Sequence, residues 1–197
     1  APLYSEVTVR VYEREVEIPS GFVNRHVVAT GAAGAWSRLE RGEVSLDAFY
    51  PLFDAECAGA GHALSARAMM ERIAIAAQPR PRMLAAIRSI RARGLRTAAL
   101  TNNWRGDGTR ERDWLGDVFE IVIESALEGL RKPDPRIYRI ALERLGVAAA
   151  ETVFLDDIGR NLKPARELGM ITIKVEDEAQ ALGELAEVLG FPLDDAP

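Results

Sequence analysis

The chain has 197 residues and a formal net charge of −5, with 48% apolar residues and few aromatics, which suits one domain with a modest insertion and a substantial core. The acidic balance, with no basic stripe, argues against a nucleic-acid partner, and no apolar run nears the roughly 20 residues that a membrane span needs. The lone cysteine, Cys57, excludes a disulfide framework and a cysteine zinc site; with Glu6, Arg10 and Glu13 interrupting any signal-peptide layout, a reducing, cytoplasmic setting is expected.

The first 78 residues lack strand–helix alternation. Tyr4–Glu15 mixes β-branched residues with charges and could alternate as a strand or wind as a helix; Ser5 as a cap and charge pairs at helical spacing favour the helix. A second helix is predicted from Pro19-Ser20 to about Ala29, and a third over Gly31–Glu40 with Trp36 and Leu39 on one face. Ser45 suits the N-cap of Leu46–Ala58, where Phe49, Leu52 and Phe53 recur at helical spacing, and Ser65 that of Ala66–Ala77. Residues 1–78 therefore read as a helical cap or insertion. Trp36 and Phe49 fit core packing or a pocket lining, Met69 and Met70 fit packing, and His26 and His62 have no metal-ligand partner at helical spacing.

Pro79 and Pro81 mark a boundary, after which residues 79–197 alternate β and α. A helix over Pro81–Arg93 ends at Gly94. The strand Thr97–Leu100, a polar loop Thr101–Arg112 and the strand Ile121–Glu124 follow. Lys132-Pro133-Asp134-Pro135 opens a helix Arg136–Leu145. Val153-Phe154-Leu155 has the apolar character of a buried parallel strand. Gly159 suggests a tight turn, Asn161–Leu168 a helix ending at Gly169, Ile171–Val175 a strand and Glu178–Leu189 a last helix. This predicts an α/β fold, a mainly parallel sheet with helices on both faces.

Chemistry gathers at three strand ends, where open α/β sheets bind ligands. Asp156 and Asp157 repel one another, and a divalent cation would relieve that, so they form a candidate magnesium site; a helix cap with a solvated neighbour is the plainer alternative. Thr101, Asn102 and Asn103 offer a hydroxyl, amides and loop N–H donors for phosphoryl oxygens, or else an Asx-type turn. Lys132 is one of only three lysines against 22 arginines and follows the Ile121–Glu124 strand, either aimed at the sheet edge or simply exposed. Trp104 is a candidate to face the same site, and Arg105–Arg112, charged and Gly-rich, a loop. Hydroxyl, amide, ammonium and acids are the parts that phosphoryl transfer needs; a nucleophile is missing.

With these motifs in place, the chain resembles the haloacid dehalogenase-like (HAD) hydrolase superfamily. LTNN at Leu100–Asn103 is similar to its second motif, GLRKPDPRIY at Gly129–Tyr138 to its third, and VFLDDIGRNLKPARELGM from Val153 to its fourth. Within the superfamily the likeness is to the phosphatase domain of soluble epoxide hydrolase and the HAD domain of acyl-CoA dehydrogenase family member ten. RLERGEVSLDAFYPLF at Arg38–Phe53 resembles part of that group's helical cap.

The resemblance implies a Rossmannoid core with a helical cap, and a magnesium-dependent phosphatase acting on small phosphate monoesters, lipid phosphates among them, alone or fused to another domain. It implies that Thr101 and Asn102 bind the phosphoryl group and that Lys132 neutralises nucleophile and phosphate. Asp157 holds Mg2+, with Asp156 directly or through water, and Asn161 lies behind them. The family's nucleophile is an aspartate on a first, central strand, and a second Asp two residues on serves as acid and base. Nothing here matches that motif: Asp47, Asp54, Asp107, Asp113 and Asp117 follow no apolar strand, and Ala1–Tyr4 resembles what comes just after it. The first strand is therefore expected upstream of Ala1, and without it the sheet would carry a gap of ~10 Å. A non-catalytic HAD-like domain and a metal-independent dehalogenase are the competing expectations.

Overall fold

The computed structural model describes residues 3–76, 80–105 and 113–193. Its first part is all helix: α1 (Leu3–Glu15), α2 (Phe22–Thr30), α3 (Ala35–Glu40), α4 (Leu46–Gly59) and α5 (Ala66–Ala76). The ambiguous first segment is helical, and α1 already begins at Leu3, ahead of Ser5. The expected third helix is split: Gly31–Ala33 forms one 3-10 turn, and extended Gly34 restarts the chain at α3. Ser45 and Ser65 cap as expected, accepting from Ala48 N at 3.2 Å and Ala68 N at 3.3 Å. Two more caps come from afar: Asp54 accepts from Ala66 N at 2.6 Å, and the fully buried Glu13 accepts from Gly21 N and, at 2.8 Å, from Val23 N. These distant carboxylates satisfy helix-start donors that would otherwise be orphaned. The interior, with Tyr12, Leu39, Phe49, Phe53, Cys57 and Met69 buried, is one apolar cluster against which Trp104 also packs.

The second part comprises α6 (Pro81–Ala92), β1 (Ala98–Thr101), α7 (Asp113–Val118), β2 (Ile121–Glu124), α8 (Ser125–Glu128), α9 (Pro135–Leu145), β3 (Val153–Asp156), α10 (Gly159–Glu167), β4 (Ile171–Lys174) and α11 (Glu178–Leu189). Two boundaries next to the site differ from the sequence expectation. Thr101 is the last residue of β1, paired with Glu124 of β2, and Gly159 is the first residue of α10 in place of a turn. Helices α7 and α8 were not foreseen. The expected boundary residue Pro79 and loop residues 106–112 lie outside the described residues.

Among the described residues the strands form two separate parallel pairs, β1–β2 and β3–β4, where one sheet was expected. This explains why Val153, Phe154 and Leu155 are only half-buried, not enclosed: β3 has a ladder partner on one edge alone. Alternation along β3 sends Val153 and Leu155 to the core with α6 and α11, and Phe154 to the opposite core with α9 and α10. Asp156 shares Phe154's parity. Helix α9 serves both pairs, for it packs on β1 and β2 while its Tyr138 ring meets Phe154 edge-on at 5.3 Å.

The helical bundle meets the α/β part where α3 and the turn after it lie on α8. Gly42 (φ +68°) is so close to α8 that a Cβ there would stand 2.3 Å from the Ala126 carbonyl oxygen. None of the described helices is long and apolar enough to cross a membrane.

Candidate active site

The site forms where β1 and β3 end. Lys132, placed by the turn before α9, spans the two strand pairs: its Nζ donates to the Leu100 carbonyl on β1 at 2.8 Å and to Asp156 Oδ2 on β3 at 2.6 Å. Both side chains are nearly excluded from water, at 11% and 4% exposure. Buried and hydrogen-bonded on both sides, this pair holds a fixed geometry that a surface ion pair does not.

Both Asp156 oxygens are engaged. Its Oδ1 takes Ile158 N at 2.8 Å and Asn161 Nδ2 at 3.0 Å. Asn161 is itself buried in the first turn of α10, and its carbonyl accepts from Tyr138 Oη at 2.6 Å. Asp157 differs. Its Oδ1 is buried with no hydrogen-bond partner, and burial, then the neighbouring Asp156, pushes its carboxyl above the ordinary carboxylate range. An orphaned carboxylate oxygen beside a second carboxylate is a natural seat for a cation. The donor set therefore fits a hard divalent ion through Asp157, with Asp156 reaching it only by way of its already committed oxygens. Among the described residues no cluster of three or more acids, histidines or cysteines completes such a site.

The loop after β1 is divided in its roles. Thr101 Oγ1 makes only a long 3.4 Å contact to the Asn102 carbonyl. Asn102 clasps the main chain of Lys132: its Oδ1 accepts from Lys132 N at 2.8 Å and its Nδ2 donates to the Lys132 carbonyl at 3.1 Å. Asn103 turns the other way and is buried, its Nδ2 donating to Glu124 and its Oδ1 accepting from Ala126 N at 3.2 Å at the start of α8. Trp104 lies against the helical bundle. So Lys132, Asp156, Asn161 and Asn102 form one connected network, Thr101 and Asp157 flank it, and the side chains of Asn103 and Trp104 are used in packing the loop.

Two residues that sequence reasoning passed over belong to the same network. Glu40, buried at the end of α3, lies 2.5 Å from Arg131 and accepts from Trp36 Nε1 at 3.0 Å and Asn102 Nδ2 at 3.3 Å. The available signals were slight: the four-residue step from Trp36 to Glu40, and an arginine immediately before the singled-out lysine. The residues set aside stay outside the site. His26 lies 3.7 Å from Glu56 and stacks on Phe22, His62 meets Phe22 edge-on, and Cys57 is buried with its thiol pushed up to about 12 by that burial.

The family profile described as haloacid dehalogenase-like hydrolase matches residues 3–169. The chain is 38% identical over 188 residues to acyl-CoA dehydrogenase family member 10 of Mus musculus, covering 92% of this chain and 17% of that protein. It is 34% identical over 205 residues to bifunctional epoxide hydrolase 2 of Rattus norvegicus, covering 96% and 37%. Thus it spans well under half the length of either. Sesquiterpene phosphatase astK of Aspergillus oryzae is 29% identical over 157 residues, 79% of each chain. Among solved structures, a HAD family enzyme of Bacteroides thetaiotaomicron in complex with magnesium and inorganic phosphate superposes with a TM-score of 0.55 at 20% identity, covering 90% of this chain and 89% of that one. A family match that runs over residues 3–169 makes this chain a member of the haloacid dehalogenase-like hydrolases.

Proposed function

We propose that this chain belongs to a magnesium-dependent phosphoric monoester hydrolase, with α1–α5 as its cap and residues 79–197 as its core. The observation that carries the reading is the orphaned, buried Asp157 oxygen beside the Lys132–Asp156 pair. The nucleophilic aspartate is assigned to a strand upstream of Ala1, seated by the ends of β1 and β3 that Lys132 joins. From there a carboxylate attacks phosphorus as the ester P–O bond breaks, the aspartate two residues on gives the departing alcohol its proton, and water, losing a proton to that same aspartate, hydrolyses the aspartyl phosphate. Lys132 neutralises charge on nucleophile and phosphoryl oxygens, and the Thr101 hydroxyl with the N–H groups of its loop orients them. Asp157 would hold Mg2+, which when bound supplies further neutralisation of phosphoryl charge.

Relatives named as phosphatases and a structural neighbour holding magnesium and phosphate support this choice of chemistry. The substrate class is a small phosphate ester, lipid phosphates included, and fusion to a further domain is proposed from the greater length of the first two relatives. The single buried Cys57 suits a reducing, cytoplasmic setting. A full-length protein that includes the upstream strand should hydrolyse members of a broad phosphate-monoester panel, lose activity with EDTA and regain it with Mg2+. Activity insensitive to EDTA, or none across the panel, would overturn the proposal. The second reading, a non-catalytic domain, draws on the two carboxylates standing without a third among the described residues, and the same panel decides between them.

A further inference from the structure

The cap reaches the core through a buried carboxylate, and where that carboxylate lands is informative. Glu40 has two partners across the boundary: Arg131, the residue before Lys132, and Asn102, which clasps the Lys132 main chain at both N–H and carbonyl. Trp36 Nε1 donates to the other Glu40 oxygen and fixes its rotamer. Ser37, one turn before Glu40's end of α3, accepts from Arg131 Nη1. The ties from α3 to Arg131 and Asn102 therefore converge on the peptide unit that aims the Lys132 ammonium.

A bond meant only to glue cap to core would be better apolar. Burying a carboxylate and a guanidinium at 9% and 15% exposure costs more desolvation than well-packed aliphatic side chains would. Burial indeed pushes the Glu40 carboxyl up despite the opposing pull of Arg131, so the pair is held against a solvation penalty. What an ion pair with directional hydrogen bonds adds over an apolar contact is fixed geometry.

We propose that Glu40 is a positioning residue: from the cap it holds Arg131 and Asn102, and through them sets the place of Lys132 Nζ between Leu100 and Asp156. Cap and catalytic lysine are then mechanically linked, and lifting the cap loosens the ammonium. The catalytic meaning of that link rests on the phosphatase reading above, but the link itself does not.

The chain's three lysines give a direct readout, because amine-reactive labelling followed by mass spectrometry resolves each. Lys163, at 78% side-chain exposure, is the internal standard. Glu40→Gln should raise the labelling rate of Lys132 relative to Lys163 by about threefold or more, as local opening frees the amine. The pair variant Glu40→Gln/Arg131→Gln, which strands no buried charge, should do the same in a protein that keeps its fold. Met69→Ala, in the buried cap interior, should lower Tm without moving Lys132 labelling. Unchanged labelling in both Glu40 variants, or an equal rise in Met69→Ala, overturns the proposal. The readout needs no turnover, so a protein without phosphatase activity refutes the functional reading and leaves this test intact.

Discussion

Lys132, in the turn before α9, stands 2.6 Å from Asp156 at the end of β3, and the same ammonium also holds the Leu100 carbonyl on β1, so a single side chain ties the two strand pairs together. Lys132→Met should therefore cost stability as well as activity. It leaves Asp156 buried without its cation, a loss of about 3–5 kcal/mol. Urea unfolding measures it, and a change within experimental error would show the pair to be incidental.

Asp157 should behave in the opposite sense. Its folded-state pKa lies above the ordinary 3.8, so ionising it in the fold carries a penalty that is present above the folded pKa and absent below 3.8. Without divalent ions, Asp157→Asn should raise Tm at neutral pH, with the gain shrinking as the solution is acidified. Mg2+ should raise the Tm of the native chain and leave that of Asp157→Asn unmoved. A variant stabilised by Mg2+ as strongly as the native chain would remove Asp157 from the metal site.

At the start of α9, Asp134 accepts from Arg136 N at 2.9 Å, and the Arg136 guanidinium holds its carboxyl below the usual range. A depressed folded pKa gives stability that is present above the unfolded value and lost as pH falls through the folded one, hence below 3.8. Asp134→Ala should cost about 1 kcal/mol at neutral pH, the usual worth of an N-cap, and much less near pH ~2. Denaturant midpoints at the two pH values test it; equal losses at both would mean that the charge contributes nothing.

Gly42→Ala asks whether the helical bundle and the α/β part depend on close contact. The new methyl would meet the Ala126 carbonyl at 2.3 Å on a backbone with φ +68°, so α3 must move off α8 or the turn must distort. A left-handed non-glycine residue alone costs about 1–2 kcal/mol. Lower Tm together with faster proteolysis between α3 and α4 is the expected result, and a neutral substitution would show that the contact yields easily.

Much of this was legible from the residues. The apolar run ending in Asp156-Asp157, the KPDP turn with its scarce lysine and the polar TNN segment marked three strand ends, because parallel strands leave a compact apolar signature and their carboxyl ends collect polar groups. What the residues could not convey was division of labour within a motif. Asn102 and Asn103 are neighbours of one type, yet one clasps Lys132 and the other caps α8, a difference set by which side of the chain each leaves at the end of β1. Glu40 was hidden because its partners lie 62 and 91 positions away, as Asn102 and Arg131, and its own surroundings, Arg38 and Arg41, suggest an ordinary exposed acid. The distant caps from Glu13 and Asp54 escaped notice for the same reason.

Two strand pairs that share a lysine in place of a ladder leave rims of main-chain donors and acceptors with no assigned partner among the described residues. Such rims are adhesive toward any extended peptide. Purified at high concentration, this stretch of polypeptide should self-associate, and a short synthetic strand of matching hydrophobicity should dissolve the aggregates by pairing with an open rim.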